Sequence, residues 1–158
     1  MKVRVTRDPI DVAAETEALT RGRRDMGAVV AFSGVCRDHE DGEKIASLTL
    51  EHYPGMAEAE IGRHVEEAEA RWPLLGVRIA HRVGRIVPGE TIVLVAVASE
   101  HRRAAFEAAE FLMDYLKTRA PFWKKVERLS GVRWVEARGT DDTAAERWGA
   151  ASKRDAAE

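Results

Sequence analysis

At 158 residues and 17.6 kDa the chain has the size of one domain, and a domain of this size buries roughly 69% of its unfolded surface, enough for a core without disulfide or metal staples. Hydrophobic residues at 45% and charged residues at 33% exclude whole-chain disorder, and no apolar run approaches the ~20 residues of a membrane helix. A formal charge of −2 argues against a general nucleic-acid binder, and the single cysteine, Cys36, excludes an internal disulfide and any cysteine-cluster metal site.

The opening MKVRVTRDP lacks the apolar centre of a secretory signal, which predicts a cytoplasmic protein. Val3 and Val5 alternate with charged residues as in a short strand, and Asp8 or Asp11 starts a helix running to about Leu19. Residues 28–35 (AVVAFSGV) read as a buried strand, and the charged 38–44 (DHEDGEK) as an exposed, mobile loop. A strand over 45–53 puts Leu48, Leu50 and His52 on one face, and Pro54-Gly55 turns the chain. Ile61, Val65, Ala68 and Trp72 then form a helical stripe that Pro73 ends.

Residues 77–86 alternate like a strand, with Val77, Ile79, His81 and Val83 on one face. Pro88-Gly89 leads into 91–98 (TIVLVAVA), apolar throughout and so central in a sheet. Ser99 reads as the N-cap of a helix striped by Ala105, Ala109, Leu112 and Leu116 and stopped by Pro121. A strand over 132–137 and a short helix over 144–148 close a single domain at 1–148, followed by a disordered tail at 149–158. Few helices among paired strands indicate an α+β fold, with helices on one face of a mostly antiparallel sheet and a ferredoxin-like split βαβ core.

The charges are unevenly spread. Seven basic residues, Lys117, Arg119, Lys124, Lys125, Arg128, Arg133 and Arg138, fall within 22 positions against only Glu127 and Glu136. The block reads either as a solvated helix end, where cations complement the macrodipole, or as an anion site walled by Phe122, Trp123 and Trp134. Lys117 and Lys124 flank the Pro121 break; a lysine among other cations or in an apolar pocket has a lowered pKa and serves as nucleophile or proton carrier, whereas an exposed one does not. His101 and Arg102, at the start of the preceding helix, and Arg37, after a buried strand, join them as candidate contacts for a small phosphorylated ligand.

Cys36 is most simply a lone buried thiol, and His52 and His81 core or interface histidines. No histidine or carboxylate spacing unites into a metal site, and no Walker, dinucleotide or G-x-S-x-G motif is present.

Four strings resemble, in order, the signatures of the MoaE family: Phe32-Ser33-Gly34-Val35-Cys36-Arg37, Leu50-Glu51-His52-Tyr53-Pro54-Gly55-Met56, Ser99-Glu100-His101-Arg102, and the run from Met113 to Lys125 (MDYLKTRAPFWKK). The resemblance spans about Val3 to Trp148. It implies an α/β hammerhead fold containing a ferredoxin-like part, and the activity of the large, catalytic subunit of molybdopterin synthase. It also implies a homodimer in which each subunit binds a small ubiquitin-like, MoaD-like sulfur carrier, giving a heterotetramer. The carrier's C-terminal thiocarboxylate gives its sulfur to cyclic pyranopterin monophosphate, and two transfers build the dithiolene of molybdopterin.

No cofactor, metal, nucleic acid or membrane is implied, and the partner's sulfur removes any need for a catalytic cysteine. By motif, Lys117 and Lys124 are the catalytic residues. Val35, Cys36, Arg37, His101, Arg102, Lys117, Lys124, Lys125, Val126 and Arg138 form the substrate site, with His101 and Arg102 supplied by the other protomer. One departure stands out: the family usually has a glutamate where this chain has Val126, and Glu127 follows one residue later as its possible substitute. Three rivals are a ferredoxin-like ligand or RNA module, a relative that only binds the small partner, and a small hydrolase. The strand TIVLVAVA offers no aromatic for RNA, the retained lysines oppose the second, and no paired acid and nucleophile supports the third.

Overall fold

The computed structural model describes residues 2–135 and 142–149. In chain order it contains β1 (Val3–Thr6), α1 (Val12–Thr20), β2 (Ala28–Val35), β3 (His39–Glu40), β4 (Glu43–His52), α2 (Met56–Arg71), β5 (Leu74–Arg82), β6 (Gly84–Ile86), β7 (Thr91–Ser99), α3 (Arg102–Thr118), β8 (Phe122–Arg128) and β9 (Gly131–Val135). A further helix occupies 142–149. None of the helices described is long and apolar enough to cross a membrane.

One sheet has the order β1-β5-β7-β2, with only the β1–β5 pair parallel. Central β7 is apolar on both sides because both sides are covered. Val93, Val95 and Val97 meet α2 and α3, where Ile61, Val65, Leu112 and Leu116 lie buried. Leu94 packs with Ile10, and Ala96 and Ala98 pack with Leu19 of α1. The α+β class holds, but α1 lies on the face opposite the other two helices, not beside them: a strand that buries every residue needs cover above and below. Asp11 caps α1, the Ala14 N–H donating to its Oδ1 at 2.9 Å.

A second sheet runs β3-β4-β8-β9, with β6 also paired to β4. The single strand expected over 77–86 is two strands, broken at Val83, with Gly84 opening the second. Gly84 has φ +81°, and a Cβ there would stand 2.9 Å from the Arg7 guanidinium. The break hands the chain from the first sheet to the second. Cys36, Ile45, Leu48, Leu50, Ile86 and Val126 form the apolar cluster beneath that second sheet.

Other local expectations are revised. Residues 38–44 form a hairpin, not an irregular loop, since Asp41 (φ 52°) and Gly42 (φ 80°) make the two-residue turn that Asp-Gly favours. Ser99 ends β7 and donates its hydroxyl to the Pro73 carbonyl at 2.9 Å, so α3 starts three residues later with His101 at its cap position. The basic segment after Pro121 is strand β8. The strand expected over 132–137 is β9, residues 136–137 lying outside the described residues, as does the tail from 150 onward. Trp148 of the last helix packs edge-on against Trp72 and Phe111, 5.6 Å from each.

Leu112, fully buried between α3 and the sheet, is the place to test this packing. Leu112→Ala is expected to lower unfolding free energy by about 2–5 kcal/mol in urea titrations. A loss below ~1 kcal/mol would show that α3 does not pack as described.

Candidate active site

Helix α3 ends in a tight reversal. The N–H groups of Arg119 and Ala120 both donate to the Tyr115 carbonyl, and the Phe122 N–H donates to the Ala120 carbonyl at 2.8 Å. Pro121 forbids further helix, and the chain returns as β8 along β4. The reversal is what brings Lys117, on the last turn of α3, near Lys124 on β8.

Strand alternation then sorts the basic block by face. Phe122, Lys124 and Val126 are paired with His52, Leu50 and Leu48 over the apolar cluster. Trp123, Lys125 and Glu127 point the other way. Lys125 lies over the Trp134 ring at 5.3 Å, Trp123 sits edge-on to Tyr53, and Glu127 accepts a 3.0 Å hydrogen bond from the Ser47 hydroxyl. Phe122 is therefore separated from Trp123 and Trp134, and the three make no common wall. Glu127 also stays away from Lys124, so it does not replace the glutamate absent at 126. Val126 itself is fully buried in the apolar cluster.

Lys124 is a half-buried ammonium. Burial lowers its pKa below the ordinary lysine value; Glu40 opposes that, Lys117 and Arg37 add to it, and Cys36 opposes it. Cys36, just past β2, is pinned to the turn before β7: its N–H donates to the Glu90 carbonyl, and its carbonyl accepts from the Gly89 N–H. Burial raises its thiol pKa, so it is no ready thiolate. Arg37, next along, is exposed, with Nη2 3.3 Å from Glu40 Oε1. Val35 is exposed at the end of β2.

Beneath the lysines lies a ring stack. His81 is stacked on Phe122 with centroids 4.1 Å apart, and His52 lies 6.3 Å from the same ring. The Arg82 carbonyl lies 2.9 Å from His81 Nδ1, which fixes the proton on that nitrogen. Burial drives the His81 pKa down to about 4; the Arg82 carbonyl opposes the shift, and Lys117 and His52 reinforce it. The ring is thus a neutral floor for the site.

Of the residues anticipated from sequence, Cys36, Arg37, Lys117 and Lys124 come together. Lys125 points to the opposite face of β8. His101 and Arg102 are exposed at the far end of α3, about 22 Å from Lys117 along the helix axis. Arg138 lies outside the described residues. Sequence reasoning missed Glu40 and His81 as parts of the site; for Glu40, the Asp-Gly hairpin was the available signal.

The family model described as "MoaE protein" matches residues 5–119. A molybdopterin synthase catalytic subunit from Mesorhizobium japonicum is 61% identical, the match covering 96% of this chain and 95% of the relative. Among solved structures, a molybdopterin biosynthesis MoaE protein from Burkholderia ambifaria superposes with a TM-score of 0.80 at 47% identity, covering 94% of this chain and 97% of that one. Molybdopterin synthase from Staphylococcus aureus gives 0.79 at 31% identity, covering 85% and 97%.

His81 supplies a pH test of the stack. Its pKa lies near 6.5 in the unfolded chain and about 4 in the fold, so its contribution is complete above about pH 6.5 and lost as pH falls toward 4. That loss is on the order of 3 kcal/mol. In urea midpoints across this window, His81→Phe is expected to flatten the slope; an unchanged slope would mean the ring is not buried and neutral.

Proposed function

The chain belongs to the MoaE family and is an enzyme of molybdopterin synthesis; within that role we propose that it is the sulfur-receiving catalytic subunit. In this reading the C-terminal thiocarboxylate of a small ubiquitin-like partner enters the site. There it gives sulfur to cyclic pyranopterin monophosphate, and two transfers form the dithiolene. The chain works in the cytoplasm as a homodimer carrying one small partner on each subunit. It needs no cofactor of its own, because the partner brings the sulfur.

The observation that carries the reading is the convergence of Lys117, Lys124 and Arg37 where α3 turns back into β8. A substrate phosphate and an incoming thiocarboxylate are both anions, and cations in a partly desolvated pocket hold both. Lys117, exposed at the mouth, holds the tail against the reacting carbon. Lys124, whose burial favours loss of its proton, neutralises or protonates a developing oxyanion. Arg37 holds the phosphate or the pterin.

His101 and Arg102 lie too far along α3 to reach the Lys117 of their own chain, which supports their entry from a second protomer. The edge strand β2, with Val29, Phe32 and Val35 exposed, offers an apolar border for such a pairing.

Lys117→Ala is expected to abolish dithiolene formation and leave the fold intact; turnover within about threefold of the parent, ~0.6 kcal/mol in barrier height, would refute the assignment. Mixing inactive Lys117→Ala and Arg102→Ala chains is expected to restore about a quarter of parental activity, since half the dimers then contain one complete site. No recovery after verified subunit exchange would place Arg102 outside the shared site.

A further inference from the structure

Among the described residues, two carboxylates are buried, Glu15 and Glu40. Glu15 is held by Arg4 and Arg78 on the α1 side of the first sheet. Glu40 lies among the cations of the site. One of its oxygens accepts from Arg128 Nη2 at 2.8 Å, and the other from Arg37 Nη2 at 3.3 Å. Arg128 is itself nearly buried and reaches Glu43 at 3.7 Å. A carboxylate held in this way by a nearly buried arginine is fixed in space, and so is the guanidinium that it holds in turn.

We propose that Glu40 is a positioning residue of the active site: held by Arg128, its carboxylate orients the Arg37 guanidinium and provides the counter-charge for Lys124. The assignment deepens the sulfur-transfer reading and rests on it. It also answers the departure at Val126, whose side chain is sealed in the core, and at Glu127, whose carboxylate is engaged by Ser47 on the other face. A negative charge near Lys124 is supplied from the β3–β4 hairpin.

The groups facing Lys124 are Glu40 from β3, Lys117 from α3, and Cys36 and Arg37 beyond β2. Lys117 and Arg37 disfavour the ammonium; Glu40 favours it. Removing the Glu40 charge therefore leaves Lys124 more readily deprotonated, while a purely structural Glu40 leaves its proton affinity unchanged.

The test is site-resolved acylation of the intact protein at fixed mildly alkaline pH, followed by peptide mass spectrometry, with exposed Lys2 as internal reference. Glu40→Gln is expected to raise Lys124 acylation about threefold relative to Lys2, because acylation follows the deprotonated fraction. It is also expected to raise the KM for the pterin substrate and move the alkaline limb of the kcat/KM profile to lower pH. Unchanged relative acylation in a folded variant overturns the proposal, whatever happens to turnover. If Glu40→Gln fails to fold, Glu40→Asp, which retains the charge but draws it back by one methylene, is expected to show a smaller increase, and none would again overturn it. The labelling needs no substrate, so an inactive parent protein would count against the sulfur-transfer reading alone.

Discussion

An ammonium on an inward-facing strand position organises this molecule's functional end. Lys124 occupies a place that pairing with Leu50 and neighbouring Phe122 and Val126 would otherwise make apolar. A charge there loses hydration, and its surroundings decide whether it keeps its proton. The fold supplies opposing influences from separate segments: cations from the end of α3 and the end of β2, and a carboxylate from the β3–β4 hairpin. Each segment is fixed by something rigid, a proline reversal, a strand bulge braced by the Glu90 carbonyl, and a type I′ turn. The site is thus preorganised by backbone before any anion arrives.

The same geometry divides the cationic residues between two ends of one helix. α3 places Lys117 at its C-terminal end, where a cation complements the helix dipole, and His101 and Arg102 at its N-terminal end, where backbone N–H groups favour an anion. A single copy cannot fold these ends onto one small ligand. Under the proposed function a dimer reconciles the two, with His101 and Arg102 of one protomer serving the Lys117 site of the other.

Much of the fold was legible in the sequence because burial leaves a periodic trace. TIVLVAVA announced a central strand, though not the helix on its second face, and the Ile61, Val65, Ala68 stripe announced a helix. What stayed hidden had competing signals. β8 looked like a helix end because its inward position 124 is a lysine, so alternation between apolar and polar was masked by function. The hairpin at 38–44 looked like a loop because five of its residues are charged, although Asp41-Gly42 is a strong turn signal. Glu40 was invisible as a buried group because its 2.8 Å ion pair with Arg128, 88 residues away, leaves no trace in the local sequence. The kinship with MoaE was readable from long local strings, but which cations converge depended on the α3–β8 reversal and on strand parity.

The most direct measurement follows sulfur itself. The parent protein is mixed with a thiocarboxylated small ubiquitin-like partner and cyclic pyranopterin monophosphate, and intact-mass spectrometry counts sulfur lost from the partner and gained by the pterin. The account predicts two thiocarboxylates consumed for each dithiolene formed. A stable complex in which the partner keeps its thiocarboxylate and the pterin gains no sulfur would contradict it.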